Sequence, residues 1–149
     1  MTYTALAPVT VADFKKMDID WSGHLDHDIP NYWEIVVDLS VTVGIYQDGE
    51  LLCFAGGVPD GTGILSLYFI TSKRINELRT KKNIIRYAGT GLQILQRYFN
   101  PHRIQCIVNP ENAFHVSFVE HFGFKCEGIL EFYTSDGKSA AMYARRGFQ

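Results

Sequence analysis

Ile-Gln-Cys-Ile-Val-Asn-Pro-Glu-Asn-Ala-Phe-His-Val-Ser-Phe-Val-Glu-His-Phe-Gly-Phe-Lys-Cys-Glu-Gly, residues 104–128, decides how the rest of the chain folds. Ile104, Ile107 and Val108 form a β-branched run that stops at Asn109-Pro110, since proline supplies no ladder donor but suits the first position of a helix. Asn109 is placed to cap that helix, and Glu111 puts a negative charge in its first turn, where the dipole favours it. Ala113, Val116, Val119 and Phe122, with Phe114 and Phe118, recur at helical spacing. Gly123 offers the left-handed residue that closes many helices, and Phe124 enters the next strand. The stretch reads as strand, helix, strand.

Working outward, Tyr3 to Ala7 is a short strand ended by Pro8. Thr10 and Asp13 resemble a capping box in front of Phe14 and Met17, which predicts a short helix. A polar connection from Trp21 to Pro30 leads to a second helix over Asn31 to Leu39, with Tyr32, Ile35, Val36 and Leu39 on one side. The period then changes to two. Val41 to Gln47, an Asp48-Gly49 turn and Leu51 to Val58 make a hairpin, and Ile64 to Thr71 adds a third antiparallel strand after Pro59-Asp60-Gly61. Charged, helix-forming sequence fills the interval up to Pro101, and the link from Ser72 to Leu78 is long enough to form a short helix of its own. Glu127 to Tyr133, a Ser135-Asp136-Gly137 turn and Ser139 to Arg145 close the chain with a hairpin. This order is mixed α/β (α+β), with parallel pairing wherever a helix crosses between strands.

The 149 residues are one ordinary domain, long enough to bury roughly two-thirds of the surface its unfolded form exposes. A net charge of −2 with scattered Lys and Arg gives no strong nucleic-acid signal. No apolar run approaches a membrane span and no basic-then-apolar leader opens the chain, so a cytoplasmic protein is expected. Cys53, Cys106 and Cys126 are odd in number and lack C-x-x-C spacing, which reads as buried, reduced thiols. His24 and His27, spaced i,i+3 among acids, are the one pair with metal-ligand spacing; a polar turn explains them more simply, and no metal is expected.

Asn112, the apolar face, Glu120, Gly123-Phe124 and Glu127-Gly128 resemble the C-terminal half of the GNAT superfamily of acyl-coenzyme-A-dependent N-acetyltransferases. A closer resemblance is to the GNAT-like internal virion protein A family of short-tailed bacteriophages. It rests on Phe69-Ile70-Thr71-Ser72, Leu78, the lysine pair Lys81-Lys82 opening a helix, and the order of elements after it. Together the two cover nearly the whole chain. They imply a GNAT fold: a mixed central sheet of six to seven strands, helices on both faces, and a gap between the fourth and fifth strands that admits the acyl arm of acetyl-CoA. Those strands are Ile64 to Thr71 and Arg103 to Val108, with the backbone of Tyr68, Phe69, Ile70 and Thr71 lining the gap. The phage resemblance implies residence in the cytoplasm of an infected bacterial host, or packaging in the virion.

The resemblance also implies a phosphate-binding turn of the form Gln/Arg-x-x-Gly-x-Gly/Ala leading into a helix, whose backbone donors face the anion. Arg86-Tyr87-Ala88-Gly89-Thr90-Gly91 matches this spelling. Against it, Ile84, Ile85, Ala88, Leu92, Leu95 and Phe99 describe one helix running through both glycines, which would cost it about 1 kcal/mol each relative to alanine. Periodicity therefore favours the alternative at Arg79, Thr80, Lys81, Lys82 and Asn83. There Lys82 and Ile84 replace the usual small residues, and their side chains stand to obstruct a pyrophosphate. Asn112 matches the family's cofactor-contacting asparagine, with a helix cap as the plainer role.

For the chemistry, His115 is a residue type whose ordinary titration falls near neutral pH, and Glu34 and Asp38 lie on the expected amine side, so these are the candidate proton acceptors, although structural roles account for each. The tyrosine that many GNAT enzymes use as proton donor is replaced by Val119. Tyr133 and Tyr143 lie near the expected amine entrance. Two functions follow: an acetyl-CoA-dependent N-acetyltransferase with a degenerate phosphate loop and an unidentified amine acceptor, or an inactive GNAT-fold phage virion or assembly protein that contacts host or phage proteins.

Overall fold

The computed structural model describes residues 4–21, 32–76, 81–134 and 136–147, with the backbone alone at 76 and 81–83. In chain order the elements are β1 (Thr4–Ala7), α1 (Val11–Lys16), α2 (Tyr32–Leu39), β2 (Val41–Gln47), β3 (Glu50–Pro59), β4 (Ile64–Thr71), a 3-10 turn (Lys73–Asn76), α3 (Lys81–Phe99), β5 (Arg103–Val108), α4 (Ala113–His121), β6 (Lys125–Leu130) and β7 (Ala140–Arg146). The strands form one sheet in the order β1-β2-β3-β4-β5-β7-β6. Among the described residues only β4 and β5 pair in parallel, because α3 carries the chain across the sheet between them. This is the expected mixed α/β architecture, element for element.

Local signals account for most boundaries. Thr10 caps α1 by accepting a hydrogen bond from the Asp13 N–H at 3.1 Å. Asp48 and Gly49 both have positive φ, the backbone of a two-residue hairpin turn, and place Gln47 opposite Glu50. Gly123 closes α4 at φ 84°.

Two expected boundaries are wrong. Helix α4 is capped by Asn112, whose Oδ1 accepts from the His115 N–H, and not by Asn109. Asn109 instead folds a turn ahead of the helix, accepting from the Glu111 N–H through its side chain and from the Asn112 N–H through its carbonyl, both at 3.0 Å. Strand β6 spans Lys125–Leu130 and not 127–133, because Phe132 takes a left-handed φ of 55° and breaks the extended run.

Each sheet face buries its own core. Phe14 of α1 and Val37 of α2 pack with Phe54 and Ile70 on one face. On the other, Ile84 and Leu95 of α3 meet Cys53 and Leu65, while Val116 and Val119 of α4 cover Ile104 and Cys106. The glycines inside α3 are explained by this packing: a Cβ at Gly89 would lie 3.3 Å from Phe122, and one at Gly91 would lie 3.3 Å from Val43. Their absence lets α3 settle onto α4 and the sheet. Cys53 and Cys106 are buried as expected, but Cys126, on the exposed edge strand β6, is not.

One close approach shapes the functional face. Gly56 of β3 lies beneath Tyr68 of β4, and a Cβ there would fall 2.1 Å from the phenol ring. Gly56→Ala is therefore expected to destabilise the fold by about 1–3 kcal/mol through overpacking. Adding Tyr68→Ala should recover part of that loss, as a double-mutant cycle in urea will show; additive losses would mean that the two residues do not compete for space.

Candidate active site

The parallel ladder between β4 and β5 runs from Ile64 opposite Arg103 to Leu67 opposite Cys106 and then stops. Beyond it each strand keeps its outer neighbour: β4 stays on β3 as far as Thr71 opposite Cys53, and β5 stays on β7 as far as Val108 opposite Ala141. The alternation of hydrogen bonds identifies the groups left in the gap. Ser72 N–H donates to Leu52, so Ser72, Ile70 and Tyr68 direct their backbone groups at β3, whereas Phe69 and Thr71 direct theirs at the gap. On β5, the bond from Gly147 N–H to His102 fixes the same alternation and turns Ile107 toward the gap. The first missing rung is Phe69 N–H to Ile107 C=O.

The wide end of the gap has its own boundary. Asp20 N–H donates to Thr71 C=O at 2.9 Å and Lys73 N–H to Asp18 C=O at 2.9 Å, so the segment after α1 occupies the β4 edge that β5 leaves. On the opposite side, α4 sets the Phe118 ring on Phe69, with centroids 4.6 Å apart and planes 20° from parallel.

A cavity of about 660 Å3 is lined from both sides of the sheet at this gap. Trp33, Phe54 and Tyr68 line it on the α1–α2 face, and Ala88, Gly91 and Leu92 of α3 line it on the other. Among the described residues, Asp60 is the one carboxylate on its wall and His115 the one imidazole. Asp60 is held by Gln105, whose Nε2 donates at 3.1 Å, and by the Ser66 hydroxyl at 3.3 Å. Nearby, Arg103 is committed to a two-bond ion pair with Glu127, which holds the Glu127 carboxyl below its usual range. Burial pushes the Tyr68 phenol up to about 12 and the Cys106 thiol up to about 12, so both are neutral at physiological pH.

The structure distributes the residues singled out by sequence unevenly. Tyr68 and Phe69 line the cavity; Ile70 does not serve it, contrary to expectation, because its side chain is buried and its backbone faces β3, while Thr71 is buried and turns its backbone to the gap with its carbonyl already accepting from Asp20. His115 is on the wall at the wide end, but Glu34 is not: it lies 3.8 Å from Lys15 across the two helices. Asn112 also stands off the wall, its side-chain oxygen taken by the cap. Arg79 and Thr80 lie outside the described residues, while Lys81, Lys82 and Asn83 begin α3. Ile84 does not obstruct the helix end, because it is buried beside Ile45 and Ile75. The competing stretch, Arg86 to Gly91, is helix interior with its N–H groups engaged. Tyr133 borders the cavity, but Tyr143 does not: it is buried against Cys106 and Phe124 on the opposite face. Asp60, in the sequence only a turn residue after Pro59, is brought to the wall by its hydrogen bond with Gln105. His24 and His27 lie outside the described residues, among which no group of three or more His, Cys, Asp or Glu could hold a metal and no helix is long and apolar enough to cross a membrane.

No family model matches the chain, and no curated protein matches it. Solved structures do. A GNAT-family acetyltransferase from Streptococcus pneumoniae superposes with a TM-score of 0.71 at 15% identity, covering 98% of this chain and 100% of that one. The ribosomal-protein-S18-alanine N-acetyltransferase of Escherichia coli gives 0.72 at 15% identity, over 99% and 96%. A GNAT-superfamily phosphinothricin acetyltransferase from Sinorhizobium meliloti, solved with AcCoA, gives 0.67 at 11% identity, over 97% and 88%. The chain has the GNAT fold. Nothing in these comparisons bears on the phage family.

Burial lowers the pKa of His115, against a smaller opposing effect from the charge of Asp20. In the unfolded chain this histidine titrates near 6.5 and takes up a proton that the folded form resists, so its contribution to stability is lost as pH falls below that value. Replacing it by Gln should flatten the acid side of the stability–pH curve below pH 6.5, as measured by urea denaturation at stepped pH. An unchanged slope would mean that His115 is solvated.

Proposed function

We propose that this protein transfers the acetyl group of acetyl-CoA to a primary amine. The observation that supports this most strongly is the unmade rung between Phe69 and Ile107, located where a cavity reaches both faces of the sheet. Two neighbouring strands that leave backbone donors and acceptors facing each other across an open gap are suited to a ligand carrying amides of its own. The pantetheine arm of coenzyme A is such a ligand. Phe69 N–H, the first free donor beyond the paired part of the ladder, is the group fitted to receive the thioester oxygen as charge develops on it. Its pyrophosphate would meet the first turn of α3, where Lys81 and Lys82 add charge to the helix dipole, together with Arg79, Thr80 and Asn83.

In this mechanism the acceptor reaches the gap from the α1–α2 face. Its ammonium first loses a proton to Asp60 or, through water, to solvent. The neutral nitrogen then bonds to the thioester carbon, the carbon–sulfur bond breaks, the nitrogen gives up one of its two protons to water and keeps the other as the amide N–H, and the thiolate takes a proton from water. His115, at the wide end with Asp20 nearby, would contact the arm, whereas Asn112, off the wall and engaged in the cap, would act through the start of α4 that it fixes. Glu34 has no part in this scheme.

A second function has an observation in its favour. Val119 is packed with Val116 and Phe122 into the apolar cluster over Cys106, so α4 offers no hydroxyl there to protonate the leaving sulfur. That suits a phage virion or assembly protein that retains the fold and acts by contact, in the infected host cytoplasm or inside the particle.

Calorimetry and thermal shift with acetyl-CoA test the first proposal. Saturation should stabilise the fold, by about 2.7 kcal/mol at a ligand concentration roughly 100 times Kd. Lys81→Glu with Lys82→Glu should weaken binding. No heat and no shift at concentrations on the order of millimolar would overturn it; binding without turnover of any amine would favour the second function.

A further inference from the structure

On the α1–α2 face the cavity is walled by aromatic and aliphatic groups. Trp33 is central to it. Its ring lies 5.3 Å from Tyr68, 5.4 Å from Tyr32 and 6.3 Å from Trp21, centroid to centroid. Val58, Ile107 and Tyr133 continue the wall across β3, β5 and the segment after β6, and all three are exposed by more than a third. Such exposure of apolar groups around a concave site marks a surface that binds apolar material. Among the described residues this wall has no lysine or arginine, and Arg103, just beyond it, is neutralised by Glu127. Among the described residues no cation is there to hold a phosphate or carboxylate, and the polar groups are the Asp60, Ser66 and Gln105 side chains together with the polar tips of Tyr32, Trp33, Tyr68 and Tyr133, which are carried on aromatic rings.

We propose that the acceptor is a small primary amine carried on an apolar, and above all an aromatic, group, with its ammonium held by Asp60 and its apolar part packed against Trp33 and Tyr68. This rests on the transferase proposal and specifies its substrate. Ser66 and Gln105 pair across β4 and β5 at the rung just before the last one, so the carboxylate they hold lies beside the closed end of the gap, where transfer would occur. The two parts of the site are complementary. An ammonium is attracted both to a carboxylate and to the faces of aromatic rings, and an apolar group gains about 25 cal/mol for each Å2 it withdraws from water. A concave apolar wall of this kind receives a side group better than it receives an extended backbone.

The test has two arms. In the first, acetyl-CoA turnover is followed with phenethylamine, tryptamine, glucosamine, glutamate and an alanine-terminated peptide as acceptors. The aromatic amines should exceed the others by at least about tenfold in kcat/KM, equivalent to 1.4 kcal/mol. Asp60→Asn, which retains an oxygen for Gln105, should reduce kcat/KM for phenethylamine at least about tenfold with the acetyl-CoA Kd unchanged. Trp33→Leu should do the same, with circular dichroism confirming that the variant is folded. In the second arm, phenethylamine is titrated into the protein without acetyl-CoA and tryptophan fluorescence is read; the wild type should respond saturably, and both variants should lose affinity. A preference for glucosamine, glutamate or the peptide, or variants equal to wild type in both arms, would overturn the assignment while leaving the transferase proposal intact. Failure to bind acetyl-CoA with phenethylamine still bound would do the reverse.

Discussion

One backbone hydrogen bond that the sheet does not make, Phe69 N–H to Ile107 C=O, governs the rest of the structure. Beyond it both strands are turned to other partners. On β4, the edge beyond Phe69 is claimed by the chain following α1, through Asp20 to Thr71 and Lys73 to Asp18. On β5, Pro110 cannot donate to a ladder and Asn109 already turns the chain toward α4, so the strand does not extend past Val108. On the α3–α4 face the gap is covered by the stacked rings of Phe69 and Phe118. The outer edges of β4 and β5 stay paired with β3 and β7 to their ends, so the opening lies between two hydrogen-bonded strands.

Much of this fold was legible in the chain. Two-residue periodicity, an Asp-Gly turn and Gly123 announce themselves locally, and the order of elements follows from them. What local rules could not resolve is which of two plausible side chains takes a shared role. Asn109 and Asn112 are both good caps; the choice depends on Asn109 spending its oxygen on the Glu111 N–H, a competition that spacing does not reveal. Tyr143 falls on the far side of the sheet because it faces Cys106, the opposite side from Gln105, and that register is fixed only by pairing over some forty residues.

The candidate site was legible in its backbone and poorly legible in its side chains. The gap could be placed because it depends on where strands end. Asp60 could not, since a turn aspartate is unremarked until the sheet brings Gln105, 45 residues away, to its carboxylate. The glycines of α3 show the reverse: their spelling resembles an anion-binding turn, but Gly89 and Gly91 serve close packing on Phe122 and Val43. Small residues record close approach without recording what approaches.

The account depends on the Phe69 amide being free of the neighbouring strand and available to a ligand. Amide hydrogen exchange read by NMR measures this directly. In the protein alone, the Phe69 N–H should exchange much faster than that of Leu67, two residues earlier on the same strand and within the closed part of the ladder, and acetyl-CoA should protect it. A Phe69 amide as protected as that of Leu67 before any ligand is added would show that β4 and β5 are joined there, and would contradict the account.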